Sequence, residues 1–166
     1  MARAIFTVGH STLTADAFFE LLSSAGVRTL ADVRAFPASR RHPHFARAAL
    51  AEASTARGLT YRWMPALGGR RRAVSSASPH GAWKVEGFRN YADYMDTEEF
   101  AVALTELERE AVAAPTAFTC AEALWWRCHR RLIADRLLVS GWYVRHIGAA
   151  EEPTDHRLPS LARVVD

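Results

Sequence analysis

The sequence predicts an α/β fold: a single three-layer domain in which a mostly parallel sheet of about five strands carries helices on both faces. Two observations point to it. Short β-branched and aromatic runs alternate with longer segments of helical periodicity, and Gly26, Gly58 and Gly141 close three of those helical segments. Strands alternating with helices need crossover connections, which are right-handed and leave the strands parallel. At 166 residues and 49% hydrophobic, the chain has apolar surface for one core, which excludes wholesale disorder and low-complexity classes. Residues 1–148 read as the domain. Residues 149–166, with Pro153 and Pro159, read as a C-terminal tail.

Ala4 to Val8 is the first strand-like run. Thr14 then caps a helix with Asp16 in its first turn and Phe18, Leu21, Leu22 and Ala25 on one face. Thr29 to Val33 is the second strand, followed by a basic loop and an Ala-rich helix from Ala46 to about Arg57. Leu59 to Trp63 is the third strand. A stretch from Pro65 to Asp96 with little periodicity follows, and such loops are commonly lids or binding loops. Trp83, Gly87, Phe88, Arg89, Tyr91 and Tyr94 are its lid candidates, against a simple surface insertion with a short helix near Tyr91 to Met95. Thr97 opens the next helix, with Glu98 and Glu99 in its first turn. Thr116 to Thr119 is the fourth strand, about Cys128 to Ser140 the last helix, and Trp142 to Ile147 the fifth strand.

In sheets of this kind ligands bind beyond the carboxyl ends of the strands. That rule groups four loops on one edge: Gly9 to Thr12, Arg34 to Phe45, Pro65 to Tyr94, and Cys120 to Arg130. The charge distribution agrees with the grouping. Between Arg34 and Arg72 nine arginines stand against one acid, Glu52, a local net of +8 in a chain whose total is +3. Arg34, Arg40, Arg41, Arg70 and Arg71 fall at the carboxyl ends and are candidates to hold an anion. A solvated basic face is the plainer alternative.

Gly9-His10-Ser11-Thr12 offers donors at a helix start, with Ser11 and Thr12 as substrate-binding candidates and helix capping as the alternative. Asp32 and Arg34 flank Val33 on one side of their strand, either as site residues or as a structural ion pair. Gly68 and Gly69 precede Arg70-Arg71-Arg72 and would let backbone approach a ligand closely. Cys120-Ala121-Glu122 ends the fourth strand, and Arg127-Cys128-His129-Arg130 opens the last helix. A thiol beside arginines and a helix N-terminus is where a thiolate forms, so Cys120 is a candidate nucleophile, with Glu122, Asp32 and His10 as acid or base. Arg127, His129 and Arg130 join Arg89, Tyr91 and Tyr94 as substrate-binding candidates. A small buried hydrophobe is the other reading of either Cys. Zinc on Cys120, Cys128, His129 and His10 lacks the spacing of a standard motif, so no metal or other cofactor is assigned.

These motifs, in this order, resemble a bacterial family called domain of unknown function 488. The resemblance rests on Val8-Gly9-His10-Ser11-Thr12, Asp32-Val33-Arg34 with Ser39-Arg40-Arg41, Leu67-Gly68-Gly69-Arg70, Gly87-Phe88-Arg89 with Tyr91-Ala92 and Tyr94-Met95, Cys120-Ala121-Glu122 and Cys128-His129-Arg130. It implies an uncharacterised α/β protein and no settled activity. Members often have charged residues between Glu122 and Cys128, where this chain has Leu124, Trp125 and Trp126. A looser similarity to rhodanese-like sulfurtransferases implies a Cys120 nucleophile, although six residues separate Cys120 from Arg127, longer than the rhodanese loop.

The expectation is a cytoplasmic enzyme, a hydrolase or transferase, with a basic pocket for a phosphate-bearing or otherwise anionic substrate such as a nucleotide or nucleic-acid component. The alternative is a nucleic-acid binding module using the arginine-rich loops with Phe36, Phe45, Trp63 and the aromatic residues between 83 and 94 as stacking surfaces. A third reading makes the acids and arginines a buried network that only fixes the loops. No apolar run is long enough to span a membrane, so the partner is an anionic small molecule or a nucleic acid, and the oligomeric state is open.

Overall fold

The computed structural model describes residues 3–69, 71, 78–148 and 152–160. In chain order the elements are β1 (Ala4–Gly9), α1 (Ala15–Ser24), β2 (Thr29–Asp32), α2 (Arg47–Ala56), β3 (Thr60–Trp63), α3 (Glu86–Tyr94), α4 (Glu98–Ala113), β4 (Thr116–Cys120), α5 (Arg130–Val139), β5 (Tyr143–Ile147) and β6 (Thr154–Asp155). Single turns of 3₁₀ helix at Pro43–Phe45, Pro65–Leu67 and Trp125–Arg127 shape three of the loops. The fold class is the α/β one expected. The sheet has the order β3-β2-β4-β1-β5-β6, parallel except for the β5–β6 pair.

Local chemistry accounts for the helix ends. Thr14 accepts a hydrogen bond from the Ala17 amide, and Thr97 accepts one from the Phe100 amide, so each caps its helix as expected. Gly26 and Gly58 stop α1 and α2 in the left-handed conformation, at φ of 74° and 77°. β2 and β4 are buried at every position because helices cover both faces. On one face α1 and α2 lay Phe18, Phe19, Leu22 and Leu50 against Val8, Leu30 and Ala117. On the other, α3, α4 and α5 pack Tyr91, Phe100, Leu107, Ile133 and Leu137 against Ile5, Ala31, Phe118 and Val144.

Two expectations change. The stretch read as a tail contributes β6, whose Arg145–Asp155 and His146–Thr154 register adds an antiparallel edge strand. The aperiodic stretch after β3 holds a nine-residue helix, α3, longer than the short one anticipated. Trp83, Tyr91 and Tyr94 are buried against the core, because aromatic rings of this size gain more from burial than from solvent contact. Among the described residues no helix is long and apolar enough to cross a membrane.

The connections from β1 and β2 run to one face, and those from β3 and β4 run to the other. The adjacent strands β1 and β4, like β2 and β4, therefore send their connections to opposite faces, the arrangement in which a crevice opens in such sheets. Here β1 and β4 stay bonded beyond their ends, through the His10 amide to the Cys120 carbonyl and the Ser11 amide to the Ala121 carbonyl, both at 3.0 Å. Gly9 is what allows this approach. A Cβ at position 9 would overlap the Glu122 carbonyl and lie 2.9 Å from the Arg130 guanidinium.

The expected outcome is that Gly9→Ala lowers stability by about 2–3 kcal/mol, read as a lower urea midpoint at unchanged m. Gly87→Ala serves as the control: nothing lies within 4 Å of a Cβ there, so it leaves stability equal or raises it by about 0.5 kcal/mol. Equal effects of the two substitutions would remove the packing account of Gly9.

Candidate functional site

Two buried polar networks occupy the carboxyl edge, and strand alternation puts them on opposite faces of the sheet. The first lies toward α1 and α2. Asp32, fully buried, takes two hydrogen bonds from the Arg34 guanidinium, Nε–Oδ1 at 2.8 Å and Nη2–Oδ2 at 2.7 Å. Tyr61 donates its hydroxyl to the same carboxylate. Arg34 Nη1 reaches His10 Nε2 at 3.3 Å, while His10 Nδ1 faces the Ser11 carbonyl. The tautomer follows: Nδ1 carries the hydrogen and Nε2 accepts. Burial, with the Arg34 charge, lowers the pKa of His10 to about 4 despite the Ser11 carbonyl, so the ring is neutral at pH 7. It stacks on Phe45 at 4.2 Å. Ser11 is held at φ 46°, an unusual value for a residue with a side chain.

The second network lies toward α5. Thr7, Cys120 and His146 share the face of Ile5, Phe118 and Val144, and α5 lowers Arg130 onto them. Arg130, 1% exposed, donates from Nε to Cys120 Sγ at 2.9 Å, from Nη1 to Thr7 Oγ1 at 2.9 Å and from Nη2 to the Glu122 carbonyl at 2.6 Å. No carboxylate of the described residues contacts it. A buried guanidinium normally requires a negative partner, and here its acidic neighbours are thiols. Cys120 Sγ lies 2.6 Å from Cys128 Sγ, and Cys128 Sγ lies 3.3 Å from His129 Nδ1. His129 Nε2 donates to the Val33 carbonyl at 2.8 Å, which leaves Nδ1 free to accept a proton from Cys128.

The two thiols are unequal. Burial and the negative charge of its neighbour push the Cys120 thiol well up. Burial also acts against ionisation at Cys128, but the hydrogen bond from Cys120 and the charge of Arg130 outweigh it and bring Cys128 down to about 7. Arg130 Nε therefore donates to a Cys120 sulfur that is still protonated, and Cys120 in turn donates to Cys128.

From Arg130 a chain of hydrogen bonds runs the other way. Thr7 Oγ1 accepts from Arg130 and donates to His146 Nδ1 at 2.7 Å; His146 Nε2 donates to His156 Nδ1 at 2.9 Å; His156 Nε2 donates to Asp135 at 2.6 Å. Every donor and acceptor is matched in this order, so the chain polarises from the arginine toward the carboxylate. Burial and the neighbouring His156 and Arg130 take His146 down to about 3. Trp125 covers the pair, stacked on His146 at 4.2 Å and edge-on to His156. That is the role of the aromatic departure between Glu122 and Cys128.

Several residues read as ligand contacts have other partners. Gly68 lies against the Ala35 backbone and Gly69 against the His129 ring, where added Cβ atoms would stand 2.5 Å and 2.8 Å from their neighbours. Arg71 donates to the carbonyls of Gly68, Pro65 and Ala66 and stacks on Tyr94. Tyr91 and Tyr94 donate their hydroxyls to Leu67 and Ala66. Glu122 meets Arg130 through its backbone carbonyl, and its exposed side chain caps the Leu124 amide. Arg40, Arg41, Arg127 and Thr12 are exposed, and Arg89 is half-buried. Arg70 and Arg72 lie outside the described residues. Asp32 and His10 do not join Cys120 in one constellation, because the sheet separates them. Thr7, Asp135, His146 and His156 had no place in the sequence reading; alternation with Val144 could have put His146 on the α5 face, but nothing local marks His156.

Among the described residues no set of three His, Cys, Asp or Glu is disposed to hold a metal ion. A surface groove at the opposite edge is lined by Phe19, Val27 and Leu59 together with Asp16, Glu20, Arg28 and Arg57, and all four of those charged groups are exposed. The two buried polar networks lie instead at the carboxyl edge.

Residues 14–137 match the model of a family described as Domain of unknown function DUF488. No curated protein and no solved structure matches the chain.

The depressed histidines His10, His129 and His146 make stability pH-dependent. Their unfolded pKa is near 6.5, so below that pH the unfolded chain binds protons that the folded chain refuses. The stability is fully present above about pH 6.5 and is lost as pH falls toward 4, at up to about 1.4 kcal/mol per pH unit for each ring. Urea unfolding across this range is expected to show that slope, and His146→Asn to reduce it. A flat profile between about pH 7 and 5 would contradict the neutral assignment.

Proposed function

We propose that this chain, which belongs to the DUF488 family of unknown function, is an enzyme that uses a cysteine thiolate on an anionic substrate. The observation that carries the proposal is the buried Arg130 guanidinium, which touches no carboxylate of the described residues and lies 2.9 Å from one sulfur of a thiol pair. Cys128 is the nucleophile. His129 stands within reach of its proton and is itself oriented by the Val33 carbonyl, the arrangement of nucleophile, base and orienting group that activates a thiol. Cys120 and Arg130 favour the ionised sulfur. The Cys128 thiolate forms a bond to an electrophilic carbon or phosphorus of the substrate as the bond to the leaving group breaks and that group departs with the proton held by His129; water or a second substrate then displaces Cys128 from the covalent intermediate and restores the thiolate. A hydrolase or transferase works in this way.

Exposed Arg40, Arg41 and Arg127 stand in loops of the same edge, and none is in an ion pair among the described residues. They are suited to a phosphate or carboxylate, as in a nucleotide or nucleic-acid component. The absence of any match among curated proteins leaves the substrate to chemistry alone.

A second reading, a nucleic-acid binding module, is favoured by one feature. Phe36 is 82% exposed beside Arg40 and Arg41, and Trp63, half-exposed, carries the Arg47 guanidinium at 4.3 Å from its ring. Stacking on such rings is tolerant of sequence and steeply dependent on salt.

Iodoacetamide alkylation of the reduced protein is expected at Cys128 with a midpoint near pH 7, against about 8.5 for a free thiol. Arg130→Gln slows it at least about tenfold at neutral pH. Alkylation only above about pH 9 rejects the nucleophile. For the substrate, a thermal-shift screen of nucleotides and phosphosugars should give a hit that Arg40→Ala with Arg41→Ala removes while alkylation persists. Binding of an oligonucleotide, lost with rising salt and without any small-molecule hit, selects the second reading.

A further inference from the structure

Cys120 and Cys128 are separated by seven residues in sequence, yet the end of β4 and the approach to α5 hold their sulfurs 2.6 Å apart. Both are free thiols. Since a sulfur–sulfur bond is about 2.05 Å long, joining them asks for a movement of roughly half an ångström. The pair is also ordered with respect to solvent, Cys120 retaining 3% of its exposure and Cys128 8%. A small oxidant therefore meets Cys128 first, with Cys120 directly behind it. The guanidinium of Arg130 beside Cys120 supplies what a second ionisation in the pair needs, a positive charge at 2.9 Å. A buried thiol pair that served only to fill space would be better surrounded by apolar groups.

We infer that Cys120 and Cys128 are a hydroperoxide-sensitive pair that closes reversibly into an internal disulfide. The inference rests on the same Cys128 thiolate as the proposed function, but it needs no anionic substrate. The thiolate attacks one oxygen of the hydroperoxide, the oxygen–oxygen bond breaks, and the other oxygen leaves with a proton as water or an alcohol. Cys128 is then a sulfenic acid. Cys120 gives up its proton and attacks that sulfur; the sulfur–sulfur bond forms, the sulfur–oxygen bond breaks, and the departing hydroxide leaves as water with the proton Cys120 released. Two electrons have passed from the two thiols to the peroxide. A dithiol reductant restores both thiols by two exchange steps. Closure consumes the nucleophile, so peroxide silences any activity that depends on it until the disulfide is reduced.

The test treats the reduced full chain with hydrogen peroxide near neutral pH and follows intact mass and free thiols in denaturant. The expected result is loss of both thiols in a monomer lighter by about 2 Da, restored by dithiothreitol. Cys120→Ser instead gains about 16 or 32 Da on Cys128, trapped by dimedone at the first stage, and Cys128→Ser leaves Cys120 unmodified. Oxygen added to wild-type Cys128 with Cys120 still free overturns the inference. So does survival of both thiols in peroxide while iodoacetamide still alkylates Cys128, an outcome that leaves the proposed function standing. If neither reagent modifies Cys128, both fall.

Discussion

The carboxyl edge of the sheet depends on one constraint, the burial of the Arg130 charge. A guanidinium taken out of water has five donors to satisfy and a charge to balance, and the surrounding structure is arranged to do both. Thr7 from β1, Cys120 from the end of β4 and the Glu122 carbonyl beyond it each take a hydrogen bond. Because those acceptors come from two adjacent strands, Arg130 ties the strands together at the point where the sheet would otherwise open. Gly9 is required for the same reason, since the Glu122 carbonyl and the guanidinium occupy the volume of any side chain there.

The charge is balanced in two directions. Toward the α5 N-terminus stand two thiols, of which Cys128 ionises more readily. Away from it, Thr7, His146 and His156 relay polarisation to Asp135. Arginine does not lose its proton, so the relay orients and polarises rather than conducting protons from the thiols. Trp125 keeps water from the two imidazoles and so preserves the direction of the chain. The Asp32–Arg34 pair on the other face has a different character: its charges cancel within two residues, and it holds the β2 end against His10 and Tyr61.

Much of the fold was legible in the sequence because the helix ends are local events. Thr14 and Thr97 cap, Gly26 and Gly58 terminate, and the alternation of strands and helices fixes a parallel sheet. The loops grouped at the carboxyl edge were legible for the same reason. What each residue does there was less so, since it depends on partners distant in sequence. Gly68 and Gly69 read as a ligand cradle but make room for Ala35 and His129; Arg71 reads as an anion grip but binds three carbonyls of its own loop. Asp32 and Cys120 both sit at strand ends, and only the assembled sheet shows that they look to opposite faces. His156 lay in a segment with no periodicity at all, and a two-residue strand on β5 brings it under Trp125.

We propose that Arg130 is neutralised by a thiolate of the Cys120–Cys128 pair. It is tested most directly by following the Cβ resonances of isotope-labelled cysteine through a pH titration of the reduced protein. One cysteine is expected to titrate near pH 7 while the other remains a thiol, and Arg130→Gln to carry the first transition upward. Two cysteines that both stay protonated beyond about pH 9 in the unaltered chain would contradict it.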